Sequence, residues 1–378
     1  MRLPRILARY AAREALIYAA LGLLGVGGIL VTQNLLRQLS DVAGVGLTFS
    51  DVLTLVGCVA GLLAAYAVPV AFLFGVVAAV SRLSADAEIL AMRSLGVGVA
   101  QLAVPFVLLA LLTSGATALL LNEVEPGSRR RLRAIAADIA ARGGMIEPGR
   151  FRRLDRQGER LLFVERYREQ TMAGVFLTDR SDPARPYTVV AETGRFAFDR
   201  EQAQASMVLE NGDIHFQETN GDPDVERHIS FGRFTYTWDV SDLLGAGLDR
   251  VNPRELRSGE LREALDHFDE HGKAPGWARR KERWRYDLQV HRRWALAAAP
   301  LLFAPLGVSL GLRRSRGAGS WGALVCTVLV FGYYVLLSFG TELARGGGFK
   351  LVAGLWLPNA VFAAAALAFL VRARRAET

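Results

Sequence analysis

Residues 52–81, VLTLVGCVAGLLAAYAVPVAFLFGVVAAVS, run for thirty positions without a charged side chain, and the fifteen that follow, RLSADAEILAMRSLG (82–96), hold four. A helix needs about 20 apolar residues to cross a hydrocarbon layer of roughly 30 Å, so the first stretch predicts a membrane span with length to spare. Five more uncharged runs, at 15–36, 94–122, 294–312, 317–341 and 351–371, reach the same length. Three runs precede and three follow a polar segment, 123–293. That segment holds 60 of the chain's 82 charged residues (45 Lys and Arg, 37 Asp and Glu), 30 of each sign, so the net charge of +8 lies wholly outside it. The expected fold class is a polytopic α-helical membrane protein with six transmembrane helices, 3+3, and an inserted extracytoplasmic all-β jellyroll-like domain. The expected domains are 1–122, 123–293 and 294–378.

Arginines beside the spans set the orientation. With the N-terminus in the cytoplasm, Arg2, Arg5, Arg9, Arg13, Arg82, Arg93, Arg313, Arg314, Arg316, Arg372, Arg374 and Arg375 lie inside, against Arg37, Arg345 and Lys350 in short outer loops. Twelve against three predicts an inner (cytoplasmic) membrane protein with both termini inside and the 123–293 domain outside. Arg129–Arg133 and the cluster from Arg279 to Arg293 flank the membrane on the outer side, which long translocated domains tolerate. Met1 to Arg13 leads into a run too long for a signal peptide and is read as part of an uncleaved first span. The two cysteines, Cys58 and Cys326, fall inside spans, so no disulfide framework supports the outer domain.

Between the second and third runs, Ile89, Met92 and Leu95 recur at helical spacing. Asp86 and Glu88 stand where a helix dipole favours acids, and Gly96 stops the pattern. Residues 84–96 therefore predict a short amphipathic helix at the cytoplasmic surface. Within the polar segment, seven short stretches rich in Val, Phe, Thr and Tyr predict strands: 160–165, 172–178, 187–192, 194–198, 206–210, 214–217 and 228–237. Asn211-Gly-Asp213 and Asn220-Gly-Asp222 read as turns between them, and the whole as an antiparallel sandwich or roll. Residues 253–272 revert to a polar helix.

Chemistry is sparse. Gly317-Ala-Gly-Ser-Trp-Gly322 matches a dinucleotide fingerprint only in letters, since it follows a basic turn instead of a strand. His267 and His271 have metal-ligand spacing but no third ligand, so no metal, cofactor or catalytic residue is expected. No Walker loop, nucleophile elbow or zincin motif occurs, and basic residues track the membrane edges, which argues against nucleic acid. Without intramembrane acid–base pairs for ion coupling, the energy source is expected in another chain.

The chain resembles the LptF/LptG (YjgP/YjgQ) family of lipopolysaccharide-export ABC transporter permeases over nearly its whole length. The resemblance rests on Arg9-Tyr-Ala-Ala-Arg-Glu14, the stretch 84–96, Ile146-Glu-Pro-Gly-Arg-Phe151, Gly174-Val-Phe-Leu-Thr178, Val190-Ala-Glu-Thr-Gly194 and Tyr286-Asp-Leu-Gln-Val-His-Arg-Arg293. It implies that a cytoplasmic ABC ATPase dimer docks on the 84–96 helix through Glu88, with Asp86, Met92 and Arg93 beside it. A paralogous permease subunit, a periplasmic bridge protein and lipopolysaccharide are the other implied partners, with Arg37 and Asn34 near the lipid head group. Asn34, Gln289 and Ser309 depart from the Lys, acid and Pro common in the family. The competing expectation is a membrane-anchored sensor or scaffold whose β domain binds an extracytoplasmic ligand.

Overall fold

The computed structural model describes residues 5–40, 49–141, 148–154, 159–168, 171–182, 185–199, 204–216, 227–239, 251–278, 282–312, 318–344 and 347–375. Among these, six helices are long and apolar enough to cross a membrane: spans one to six are Arg5–Leu36, Ser50–Ala85, Val99–Ala136, Trp284–Gly311, Leu324–Leu343 and Gly348–Phe369. The protein is a multi-pass membrane protein. Spans one to four run past the charged ends of the uncharged stretches; some of the charged heads there are exposed, whereas Glu125 and Arg293 are buried and hydrogen-bonded within the protein. The chain forms two compact units, one of residues 1–35, 56–129 and 252–378, the other of 36–55 and 130–251. The described residues of 252–278 and 282–293, grouped by composition with the polar domain, fall in the compact unit that holds the spans.

Small residues decide how the spans meet. A Cβ on Gly75 of span two would lie 2.5 Å from the Ala15 carbonyl of span one, and one on Gly307 of span four 2.8 Å from Val76. Gly340 and Gly354 bring the backbones of spans five and six into direct contact. Lipid offers no hydrophobic force to pull helices together, so close approach and hydrogen bonds supply the attraction. One such bond set is buried against span four, whose helix runs unbroken through Pro300. Tyr333 Oη donates to Asn359 Oδ1 (2.9 Å), and Asn359 Nδ2 donates to the Ala295 carbonyl (3.0 Å). Spans one and three each contain a π-helical turn, at Leu23–Gly27 and Leu120–Val124. Gly22 packs on Phe74, whereas Gly25 and Gly28 have open space beside them.

The second unit holds one six-stranded antiparallel sheet, β1 (Arg152–Arg153), β2 (Arg160–Arg168), β3 (Thr171–Asp179), β4 (Tyr187–Asp199), β5 (Gln204–Phe216) and β6 (Arg227–Asp239), paired in chain order. Six described strands replace the seven expected: four short stretches join pairwise into β4 and β5, and the two-residue β1, not among the seven, is added. Asn211-Gly212-Asp213 lies inside β5 and does not reverse the chain. Instead the pairing skips one row, Glu165, Gly174, Glu192, Asn211 and Gly232, across β2 to β6. Gly174 (φ +65°) and Asn211 (φ +54°) adopt the left-handed backbone there, so the turn signal marks a crease in the sheet. The other sequence turn, 220–222, lies outside the described residues. Alternate side chains, among them Leu162, Val164, Val175, Leu177, Val189 and Leu209, line one buried face.

Asp179, 5% exposed at the end of β3, gathers the sheet's polar contacts. It accepts from Tyr236 Oη (2.7 Å), Ser181 N (2.9 Å) and Arg160 Nε (3.2 Å). Burial alone would raise its pKa. The bonds from Ser181 and Tyr236, with the Arg160 charge, outweigh burial and hold it below its ordinary value of 3.8. A depressed carboxylate stabilises the fold above its unfolded pKa and loses that contribution as pH falls through the folded value. Asp179→Ala in the full-length protein is expected to cost the sheet about 1.5–3 kcal/mol at neutral pH. The difference from wild type should shrink below about pH 4, measured by amide hydrogen exchange in β3 and β6. Equal protection in both proteins at neutral pH would refute this role.

Candidate functional site

The turn after span two is built by backbone geometry. Helix Phe49–Ala85 ends, Ala87 takes φ +57° without being glycine, and Glu88 opens the short helix Glu88–Ser94. Gly96 at φ +84° closes it. Ile89 and Met92 point inward and join the apolar core of the spans. Leu90 and Leu95 point outward, 62% and 74% exposed, with Arg93 between them on the surface. The spacing that suggested one apolar face thus splits, because the chain turns at Gly96 before Leu95 reaches the core.

Two side chains of span one hold this turn. Tyr10 Oη donates to Glu88 Oε1 (3.2 Å), and Glu14 Oε2 pairs with Arg82 Nη1 (2.6 Å). Arg82 also lies 3.4 Å from Asp86. Tyr10 and Glu14 are one helical turn apart, so a single face of span one grips both the end of span two and the start of the short helix. Of the four residues expected at a docking surface, Asp86 and Arg93 are exposed, Glu88 is half-buried and Met92 is buried. Tyr10, Glu14 and Arg82 were not singled out from sequence. Their partners lie 68 to 78 residues away, and only the Arg9–Glu14 signature hinted at them.

The other expected residues are less connected. Asn34 Nδ2 donates to the Leu30 carbonyl of its own helix (3.1 Å), and the Arg37 side chain lies outside the described residues. His267 and His271 stack with ring centroids 4.4 Å apart, and His267 Nδ1 meets the Lys273 carbonyl at 3.0 Å. Among the described residues, no group of three His, Cys, Asp or Glu could hold a metal ion.

A second polar cluster joins spans two, three and four. Glu125 is buried in span three and accepts from Arg129 Nη2 (2.7 Å) and Nε (3.0 Å) and from Tyr66 Oη (3.2 Å). Arg292 Nη2 donates to the same Tyr66 oxygen (2.8 Å). Arg293, 3% exposed, donates to the Leu256 carbonyl (2.7 Å), while its Nη1 has no hydrogen-bond partner among the described residues. Arg257 with Glu123 (3.4 Å) and Ser258 with Asn122 (2.6 Å) fasten the segment after Asn252 to span three. Arg129 and Arg292, two of the arginines that flank the membrane against the charge rule, thus belong to one bonded network. One carboxylate anchors it.

Comparison with known proteins adds the following. The family model for the lipopolysaccharide export system permease LptF/LptG matches residues 9–372. The chain is similar to the lipopolysaccharide export system permease proteins LptF of Escherichia coli strain K12 and of Shigella flexneri, each 24% identical over 356 residues, which is 93% of this chain and 90% of the relative.

Removing Glu125 would leave the Arg129 guanidinium and Tyr66 hydroxyl facing each other without their shared acceptor. Glu125→Ala is expected to destabilise the span unit by about 3–5 kcal/mol, and Glu125→Gln by less, because an amide oxygen still accepts. The check is the fraction remaining monodisperse in detergent across a heating series. Equal midpoints for wild type and Glu125→Ala would show that the network carries no stability.

Proposed function

The chain belongs to the LptF/LptG family of lipopolysaccharide export permeases, and from that premise we propose how its parts divide the work. The termini lie in the cytoplasm of the bacterial cell and the β domain in the periplasm, a reading supported by the twelve-to-three count of Arg and Lys beside the spans. A separate ABC ATPase dimer docks on Glu88–Ser94. Leu90, Arg93 and Leu95 offer it an exposed apolar and cationic surface, Asp86 and Glu88 supply acids, and Met92 seats the helix on the spans. The observation that carries this reading is the bond from Tyr10 to Glu88, which gives a movement of the short helix a direct hold on span one.

Extraction of a lipid with several acyl chains costs on the order of tens of kcal/mol if the chains meet water, at about 0.8 kcal/mol per CH₂. A sheltered path avoids that cost. We place its start beside span one, whose outward residues Leu16, Leu21, Leu24 and Ile29 are uncovered in the single chain. A paralogous permease subunit and incoming lipopolysaccharide share that face, with Arg37 and Asn34 near the head group. The apolar interior of the sheet then receives the acyl chains and passes them to a periplasmic bridge protein.

The test is Glu88→Lys in the full-length permease. Both ATPase co-purification and export to the cell surface are expected to fall, with span-unit stability lowered by no more than about 1.5–3 kcal/mol, since one hydrogen bond to a carboxylate is lost. Co-purification and export at wild-type levels would remove the coupling role from Glu88.

A further inference from the structure

Four of the chain's five histidines stand in two ring pairs, His215 with His228 and His267 with His271. The second pair is the closer. It lies at the end of the helix Ser258–His271, whose buried side chains are Leu261, Ala264 and Phe268, with Phe268 packed on Tyr286 of span four (ring centroids 5.3 Å). His267 sits at the edge of that buried face and is half-buried, and His271, one turn on, is exposed. Their rings stack with centroids 4.4 Å apart and planes 21° from parallel.

The bonds around the rings decide which nitrogens are left over. A backbone carbonyl only accepts, so Nδ1 of His267, 3.0 Å from the Lys273 oxygen, carries the proton, and the neutral ring keeps its lone pair on Nε2. Nδ1 of His271 stands 3.9 Å from Glu270 Oε2, which favours the same tautomer. Metal-binding imidazoles commonly make this outer contact, because it orients the ring and raises its basicity. The local charge suits a cation as well. From 260 to 273 the chain carries five acids, with Asp266 and Glu270 next to the rings in sequence, against two bases. The pair also occupies the last helical turn, where the dipole is negative, and Gly272 at φ +66° brings Lys273 back to His267.

We propose that His267 and His271 chelate one divalent late first-row metal ion of the zinc type through their two Nε2 atoms. Among the described residues no third side chain joins the pair, which argues against a closed four-ligand site and leaves an open one completed by water. Imidazole nitrogen selects such ions over calcium and magnesium, which take oxygen. Two nitrogens held about 2 Å from one tetrahedral ion are roughly 3.3 Å apart, a spacing the stacked rings reach by a small convergence of their free edges. Bound there, the ion ties the last helical turn to the loop at 272–273, beside the Asp269–Arg283 ion pair that leads into span four. The inference goes beyond the docking of an ATPase and does not rest on it, since both ligands belong to one helix.

The full-length chain, without a polyhistidine tag and stripped with EDTA, is titrated in detergent with Zn²⁺ against a chromophoric chelator. Amide exchange across 258–273 is compared with and without the metal. One zinc per chain is expected, and at a free concentration about ten times the dissociation constant, exchange in the last turn should slow by about tenfold. His267→Gln and His271→Gln should each weaken binding by about tenfold or more, with gel filtration confirming an intact fold. His215→Gln with His228→Gln, which removes the wider pair (6.1 Å), should bind as wild type does. Binding weakened by only one of the two single variants overturns the chelate. Binding unchanged in both, binding lost in the His215 and His228 double variant, or no bound zinc at all overturns the site. None of these outcomes involves the ATPase, so export and its coupling at Glu88 stand or fall separately.

Discussion

Helices in hydrocarbon gain nothing by hiding apolar surface from lipid, so the span unit depends on places where two backbones touch. Gly75 against Ala15, Gly307 against Val76, Gly311 against Val80, and Gly340 against Gly354 are four such places, linking span one to two, two to four, and five to six. Each leaves no room for a methyl group. Together they fix which faces of the spans can meet, and the Tyr333–Asn359–Ala295 bonds then tie spans four, five and six to one another. The polar clusters at either end come after these contacts. They need span two already beside spans one, three and four.

Those end clusters differ in kind. At the short helix, charges and hydroxyls pair one to one, Tyr10 with Glu88 and Glu14 with Arg82, near the surface where such bonds are cheap to exchange. At the opposite cluster, Glu125 is buried among arginines, and a buried carboxylate is costly to leave unpaired. The first arrangement suits a joint that is gripped and released; the second suits a fixed anchor. Both uses come from the same side-chain types. Depth sets the difference.

How far the sequence could be read follows the range of each signal. Spans are a matter of local composition, and all six were legible because an uncharged run of about twenty residues has few other uses. The polar insert was legible for the same reason. Strand boundaries were harder: Asn211-Gly212 carries the signature of a positive φ, which serves a chain reversal and a sheet crease equally, so one long β5 looked like two strands. At the candidate docking surface, Glu88 and its helix could be found, but helical spacing placed Met92 and Leu95 together, and only the backbone turn at Gly96 separates them. The bond from Arg292 to Tyr66 joins residues 226 apart, and nothing in either neighbourhood announces it.

The wide turn at Leu23–Gly27 has a geometric consequence for span one. A π turn places one extra residue in the ladder, which shifts the azimuth of everything beyond it by about 100°. Drawn as a uniform helix, Asn34 would stand about 140° around the axis from Ala11, the residue that faces span two; with the extra residue it comes to within about 40°. A wheel plotted through the whole span therefore assigns its far third to the wrong side. Deleting one residue between Leu23 and Gly27 would turn the wide turn into a uniform helix and leave Asn34 about 40° from Ala11, whereas the same deletion elsewhere between Ala11 and Asn34, with the wide turn kept, would swing it by about 100°.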